Sequence, residues 1–170
     1  MIKVETSDIE ILKTLNAGDI VSISGTIYTA RDAAHKKIFA LMKDNMPLPF
    51  PLRDSFVYYT GATPAKDGEP YGSCGPTTSK RMDVYTPDML DAGLKGIIGK
   101  GARTRAVVDA IKRNGAVYFV AIGGAGAFYK SAIKSAEVIG NETRSRRVRV
   151  RRRRGLKRKR HFLINNCSDR

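Results

Sequence analysis

The stretch "LKGIIGKGARTRAVVDAIKRNGAVYFVAIGG" (Leu94–Gly124) decides the fold class of this chain. Its first residues, Leu94–Ile98, predict a short strand that ends in a glycine turn. A helix follows, with an inward stripe formed by Val107, Ala110 and Ile111. The run "AVYFVAIGG" is then apolar without interruption, which is typical of a strand buried on both faces. Strand, helix and strand in this order predict an α/β fold with a layered sheet.

The rest of the first 140 residues continues the same alternation. Periodicity and breaker residues predict strands at Asp19–Gly25 and Ser55–Gly61 and helices at Asp32–Asn45, from Thr86 onward and over residues 127–139. Thr86, Pro87 and Asp88 indicate a helix start, because a capping hydroxyl, a first-turn proline and an acid stand in sequence. These elements favour one domain, which suits the length of 170 residues.

The positive charge of the chain is concentrated at one end. The formal net charge of +15 is typical of nucleic-acid binding proteins. However, residues 141–170 hold 13 Lys and Arg against two acids, whereas residues 1–140 hold 18 against 14. We therefore predict a nearly balanced folded domain over 1–140 and an Arg-rich tail over 141–170.

Cysteine usage and hydropathy limit the class of protein. Cys74 and Cys167 are too few for a disulfide framework or for the ligands of a metal cluster. The first residues lack the charged and apolar regions of a secretion signal, and no apolar run approaches 18 residues. A cytoplasmic protein without membrane association is expected.

Three segments that follow predicted strands offer hydrogen-bond donors and positive charge. Arg31 lies in "GTIYTARDAAH", Thr77, Thr78 and Arg81 lie in "GPTTSKRMD", and Lys100 lies in "GKGARTR". Ligands of α/β folds bind beyond the carboxyl ends of the strands. Because the arginine fork matches a carboxylate, two arginines on different loops would hold a dicarboxylate at both ends. Phosphate is the rival anion, but neither the Walker spacing nor the dinucleotide spacing is present.

Each of these residues also has an ordinary structural interpretation. An arginine at a strand end commonly pairs with a surface acid, and Thr77 and Thr78 could cap the next element. His35 is expected on the exposed edge of its helix, with a structural role. Asp32 and Asp83 are expected to neutralise the arginines next to them. The three cationic segments together, rather than any single residue, favour a dicarboxylate site.

In order and spacing, these segments resemble the β subunit, equivalently the C-terminal domain, of class I iron–sulfur fumarate hydratases and of L(+)-tartrate dehydratases. The resemblance runs from about Leu15 to Ile139 and rests on "GDIVSISGTIYTARDAAHKKI", "YYTGATPA", "GPTTSKRMDVYTPDML" and "GKGARTRAVVDAIKRNGAVYFVAIGGAGA". It implies a swivelling β/β/α layered domain. It also implies a hydro-lyase subunit for the reversible hydration of fumarate to L-malate, with dehydration of L(+)-tartrate as the alternative.

The resemblance further implies roles for the five candidate residues. Arg31 and Arg81 would bind the substrate carboxylates, and Lys100 would be a further carboxylate donor. Thr77 matches the residue proposed as the base that takes the C3 proton of malate. A threonine hydroxyl is a poor base, so this role needs neighbouring cations that stabilise the alkoxide. Thr78 would support the turn and direct its N–H toward the substrate.

The resemblance implies that this chain forms only part of an active site. In the family, a separate α subunit uses three cysteines to hold a [4Fe–4S] cluster, whose open iron acts as a Lewis acid. This chain would bind no cofactor itself and would be inactive alone. Its expected partners are that α subunit and a small dicarboxylate, and a homodimer of this chain is left open.

From about Asn141 the sequence departs from the family pattern. A genuine polybasic tail would bind nucleic acid or an acidic partner with strong salt dependence. The alternative is a reading-frame shift, because AGA and AGG arginine codons read one base over become glutamate codons. The abrupt change in composition favours the shift, so nucleic acid is not the favoured partner. Loss of the last strand of the family would leave a sheet edge unpaired.

Overall fold

The computed structural model describes residues 1–140, 145–150 and 162–164. These residues form eight strands, four α-helices and two short 3-10 helices at Glu10–Thr14 and Ser79–Met82. The strands are β1 (Ile2–Glu5), β2 (Ile20–Thr29), β3 (Phe56–Tyr58), β4 (Gly96–Gly99), β5 (Val117–Ala121), β6 (Ile133–Gly140), β7 (Ser145–Val150) and β8 (Phe162–Ile164). The helices are α1 (Asp32–Lys43), α2 (Thr86–Asp91), α3 (Arg105–Asn114) and α4 (Gly126–Lys130). The predicted α/β class is confirmed.

The described strands form one mixed sheet in the order β3-β4-β5-β8-β2-β7-β6, with β1 beside β2. Strands β1 to β5 pair in parallel, whereas β7 and β8 run antiparallel to β2. Because β2 also pairs with β3, the strands β3, β4, β5, β8 and β2 form a closed circuit. The carboxyl ends of β2, β3, β4 and β5 therefore lie at the same edge of the sheet.

The parallel strands are buried on both faces, as the apolar run in β5 predicts. Phe56 and Phe119 belong to one buried apolar cluster. Val57, Ile97 and Tyr118, which point to the opposite face, belong to a second cluster. Helices α1, α2 and α3 contribute buried side chains to this second cluster. The strands whose ends carry the candidate residues are therefore packed against apolar side chains on both faces.

The helix predicted over residues 127–139 is wrong in its second half. Helix α4 ends at Lys130, and β6 begins at Ile133 and pairs with β7, with Ala136 opposite Val148. The partner strand comes from the Arg-rich region, where the sequence predicts no strand. Without that partner in view, the apolar spacing of residues 127–139 fits a helix as well as a strand.

The strand predicted at Asp19–Gly25 is longer than expected, because β2 continues to Thr29. Its second half, Gly25–Thr29, has β7 as an antiparallel partner. Its first half pairs with β1 (Ile2–Glu5), a strand that the sequence does not predict. Helix α2 begins at Thr86 as expected, but Tyr85 occupies the N-cap position. The Thr86 hydroxyl instead donates a hydrogen bond to the Met82 carbonyl oxygen.

Part of the predicted tail belongs to the sheet. Strand β7 lies between β2 and β6, and the Val148 side chain is only 1% exposed. Strand β8 pairs with β5 and β2. The nucleic-acid alternative rests on the run Arg144–Arg160. In this run, Arg146, Arg147 and Arg149 belong to β7, whereas residue 144 and residues 151–160 lie outside the described residues. Among the described helices, none has the length and apolar character needed to cross a membrane.

Candidate functional site

The candidate residues lie beyond the carboxyl ends of the parallel strands. Arg31 occupies the N-cap position of α1 just after β2, and Lys100 directly follows β4. The segment Thr77–Arg81 is attached to the same edge by two backbone hydrogen bonds. The Thr77 N–H donates to the Tyr59 carbonyl oxygen at 2.8 Å, and the Ser79 N–H donates to the Lys100 carbonyl oxygen at 2.9 Å. The three predicted loop segments therefore lie at one edge of the sheet.

Arg31 and Arg81 converge on one carboxylate, that of Asp32 at the start of α1. The Nε of Arg81 lies 2.9 Å from Asp32 Oδ1, and the Nε of Arg31 lies 3.4 Å from Asp32 Oδ2. The two arginine side chains are 53% and 44% exposed. Asp32 therefore neutralises Arg31 as expected, and it also pairs with an arginine from a distant loop. Both guanidinium groups therefore lie within reach of a single carboxylate at this edge of the chain.

The Arg31 side chain lies against the loop that follows β3. A Cβ atom placed at Gly61 would be 2.6 Å from Arg31 Cδ and 2.9 Å from one of its terminal nitrogens. Glycine at this position therefore allows the guanidinium to approach the backbone. This explains the placement of Gly61 in the "YYTGATPA" stretch.

Lys100 is joined to the threonine segment along its backbone. Thr78 and Lys100 form an isolated parallel bridge, and the Lys100 N–H donates to Ser79 Oγ at 3.0 Å. The Lys100 Nζ lies 3.6 Å from the position that a Cβ would take at Gly123, in the loop after β5. Lys100 therefore belongs to the same edge as the arginines.

The two threonines differ in exposure. Thr77 is half-buried and Thr78 is exposed. The turn before them is fixed by Thr60, whose Oγ1 donates to the Gly75 carbonyl oxygen at 2.7 Å. Thr60 and Pro76 also form an antiparallel bridge. The turn thus presents both threonines at the open edge, and the role of Thr77 as a base stays a prediction.

A cavity of about 670 Å³ adjoins Arg31. Its polar lining includes Thr29, Thr60, Tyr71 and Arg146, whose guanidinium carbon lies 5.3 Å from the Tyr71 ring centroid. Sequence reasoning missed Arg146, because it counted this residue within the tail. Thr77, Arg81 and Lys100 do not line this cavity. The site is therefore an open edge of the chain that continues into a cavity at Arg31.

His35 is completely buried beneath the site, so the expectation of an exposed edge is wrong. Its Nδ1 lies 3.0 Å from the Arg31 carbonyl oxygen, and its ring meets the Tyr59 ring edge-on at 4.7 Å. Burial is the main cause that lowers the pKa of His35 from 6.5 to about 4, so the imidazole is neutral at pH 7. The buried side chains of α1 are those of Ala34, His35 and Ile38.

Asp83 pairs with Arg103 rather than with its sequence neighbour Arg81. The Arg103 Nε donates to Asp83 Oδ1 at 2.8 Å, and the Thr104 N–H donates to Asp83 Oδ2 at 2.7 Å. The Arg103 side chain is fully buried. Sequence reasoning missed this arginine, and the signal available was its position three residues after Lys100 in the cationic loop.

The donor set of the described residues does not fit an iron–sulfur cluster. In the described ranges, no group of three or more His, Cys, Asp or Glu residues could hold a metal ion. Cys74 is buried, its Sγ lies 3.9 Å from the Gly126 carbonyl oxygen, and burial raises the pKa of its thiol to about 12. This thiol is therefore protonated at neutral pH and is not a ready metal ligand.

The chain is an α/β domain whose open edge carries arginine, lysine and threonine side chains. A family model described as the fumarase C-terminus matches residues 1–143. The chain belongs to the fumarase C-terminus family. The matched range ends close to the point where the composition changes.

Three relatives illustrate the similarity. A Methanocaldococcus jannaschii protein, provisionally named L(+)-tartrate dehydratase subunit beta, is 36% identical over 129 residues, which are 74% of this chain and 66% of that protein. The Escherichia coli K12 aerobic class I fumarate hydratase is 39% identical over 122 residues, covering 70% of this chain and 22% of that enzyme. Fumarate hydratase 2 of Leishmania major is 40% identical over 119 residues, covering 69% and 21%. The matched part of the chain therefore corresponds to between about a fifth and two thirds of the length of these relatives.

Proposed function

We propose that this chain is the β subunit of an iron–sulfur hydro-lyase that catalyses the reversible hydration of fumarate to L-malate. The observation that carries the proposal is the convergence of Arg31 and Arg81, from separate segments, on one carboxylate at the edge of the parallel strands. Two relatives of this chain are named as fumarate hydratases, which supports the reaction.

The residues of this chain would bind the diacid and move one proton. Each arginine contacts Asp32 through Nε, and its terminal nitrogens add further donors for a substrate carboxylate. Charge-assisted hydrogen bonds of this kind contribute roughly 1.5–3 kcal/mol each when water is excluded. Lys100 would bind the second carboxylate. Thr77 would act as its alkoxide, stabilised by the nearby cations, and would become the neutral hydroxyl when it takes the C3 proton of malate.

The proposal includes a partner that completes the site. Thr78 and Arg81 are exposed, so substrate bound here would stay in contact with water unless a second chain covered it. A [4Fe–4S] cluster on that α subunit would supply the metal chemistry, and this chain would be inactive without it. The swivelling β/β/α arrangement and a cytoplasmic location belong to the same proposal, which leaves a homodimer of this chain open.

The test is reconstitution with a cluster-bearing α subunit. We expect the complex, but not this chain alone, to interconvert fumarate and L-malate, followed by the absorbance of fumarate. Arg31→Ala and Arg81→Ala should each lower kcat/KM by about tenfold or more. Arg113→Ala is the matched control, because this arginine of α3 pairs with Asp91 at the end of α2, away from the candidate residues. A reconstituted, cluster-loaded complex with no activity on either diacid would contradict the proposal.

L(+)-tartrate is the second candidate substrate. The name of the M. jannaschii relative favours it, since that protein is 36% identical over 129 residues. The same arginines would bind either hydroxy diacid. Comparing kcat/KM for L-malate and L(+)-tartrate in one complex assigns the substrate, with the higher value identifying it.

A further inference from the structure

We propose that the buried Arg103–Asp83 pair is a positioning device that fixes the Thr77–Arg81 segment against the Lys100 loop. Asp83 lies two residues after Arg81, at the end of the 3-10 helix Ser79–Met82. Arg103 lies three residues after Lys100. The pair therefore joins the two loops two residues after Arg81 and three residues after Lys100. Only the kinetic consequence of this inference rests on the proposed function.

Hydrogen bonds to both carboxylate oxygens of Asp83 connect the two loops. Both oxygens of Asp83 are used by the Lys100 loop, one by the Arg103 Nε at 2.8 Å and the other by the Thr104 N–H at 2.7 Å. The second terminal nitrogen of Arg103 donates to Thr86 Oγ1 at 3.0 Å. Contacts from a side chain and from the backbone fix direction as well as distance.

The two tyrosines around Arg103 are hydrogen-bonded to the Thr77–Arg81 segment, Tyr118 through its hydroxyl and Tyr59 through its backbone carbonyl. The guanidinium carbon lies 4.9 Å from the Tyr118 ring centroid and 5.4 Å from the Tyr59 ring centroid, distances typical of cation–π contacts. The Tyr118 hydroxyl donates to Ser79 Oγ at 2.9 Å, and the Tyr59 carbonyl accepts from the Thr77 N–H. Arg103 therefore lies within a framework whose other side is the candidate site.

Stability alone does not account for this pair. The side chains of Arg103 and Asp83 are 0% and 6% exposed, and the loss of hydration of two buried charges offsets most of their attraction. In addition, the buried Nη1 of Arg103 has no hydrogen-bond partner among the described residues. Apolar side chains of similar volume often stabilise such a position equally well. What they cannot supply is the directional connection between the two loops.

The first test measures the order of the segment without reference to catalysis. The variant Asp83→Asn/Arg103→Met removes both charges together, so that no buried charge is left uncompensated. We expect the Thr77 and Ser79 amides to exchange hydrogen about tenfold faster than in the parent chain, with Ile97 and Ile98 in β4 unchanged. Arg113→Met, which breaks the exposed Arg113–Asp91 pair between α3 and α2, is the control and should change neither set. Parent-like exchange at Thr77 and Ser79, or a uniform increase throughout the chain, overturns the proposal.

The second test separates positioning from folding by kinetics in the reconstituted complex. Displacement of Lys100 and Arg81 should raise KM for the diacid about tenfold in fully folded enzyme. A purely structural role would reduce the folded fraction, so that kcat falls while KM stays constant. Arg103→Lys keeps the charge but not the planar guanidinium group, so its KM should lie between that of the parent and that of the double variant. A parent-like KM in the double variant overturns the proposal, whereas an inactive parent complex contradicts the proposed function and leaves the exchange test decisive.

Discussion

His35 should make the folded protein lose stability as the pH falls from about 6.5 to about 4. The Nδ1–H donates to the Arg31 carbonyl oxygen, so the neutral ring carries its other lone pair on Nε2. That Nε2 is buried and has no hydrogen-bond partner in the part of the chain that the structure describes. Protonation would place a charged N–H there, and the nearby Arg103 opposes it further. Asp32 favours protonation but has the smallest effect.

The size of the effect follows from the difference between the folded and unfolded pKa. Above pH 6.5 neither state binds the proton, so the contribution of His35 to the free energy of unfolding is constant. Between 6.5 and about 4 only the unfolded state binds it, and the free energy of unfolding falls by about 1.36 kcal/mol for each pH unit. The total loss is about 3 kcal/mol. Below about pH 4 both states are protonated and the loss is complete.

The assay is urea unfolding of the parent chain and of His35→Asn at several pH values between about 7 and about 4. Asparagine keeps an N–H for the Arg31 carbonyl oxygen but does not titrate. The parent should therefore lose about 3 kcal/mol more than the variant over this range. His161→Asn reports on the second histidine of the chain. Equal losses in the parent and in His35→Asn would refute the reasoning.

Three further substitutions test other parts of the structure. Arg81→Lys keeps the charge but loses the planar guanidinium group, so kcat/KM in the complex should fall about tenfold or more. Unchanged kinetics would exclude bidentate binding of a carboxylate by Arg81. Gly96→Ala would place a Cβ 2.2 Å from Phe56 Cδ1, so urea unfolding should show a loss of about 1–3 kcal/mol. Val148→Ala should cost about 2 kcal/mol, because this side chain is 1% exposed within β7. Parent-like stability of Val148→Ala would argue against a strand at residues 145–150.

The parallel core was predictable from the sequence because its signals are local. The apolar run of β5 and the periodicity of α3 each specify one element without reference to the rest of the chain. Strand β7 was missed, because its high arginine content indicated a charged tail rather than a strand. Its sequence "SRRVRV" alternates arginine and valine, so Val148 points into the core while Arg147 pairs with Glu137 on β6. The period of two is present, but the Arg-rich composition conceals it.

The site was predictable to the level of the edge on which it lies. Arg31 and Lys100 follow parallel strands, so the rule for α/β sheets is sufficient to bring them to one side. The rule does not predict which side chains from different loops form ion pairs with each other. Asp83 is two residues from Arg81 in sequence, yet its carboxylate bonds to Arg103, twenty residues away. That choice depends on how the 3-10 helix turns, which no local pattern encodes.

Under the proposed function, the exposure of the two arginines predicts that affinity for a diacid belongs to the assembled protein. At 44% and 53% exposure, ion pairs with a ligand carboxylate are screened by water and contribute about 1 kcal/mol or less each. The same charges at 4 Å interact about four times more strongly when the effective dielectric constant falls from about 80 to about 20. A second chain that covers this edge would cause that change. The buried Arg103–Asp83 pair would meanwhile keep the donors in place before the cover arrives, so that closure strengthens contacts already aligned.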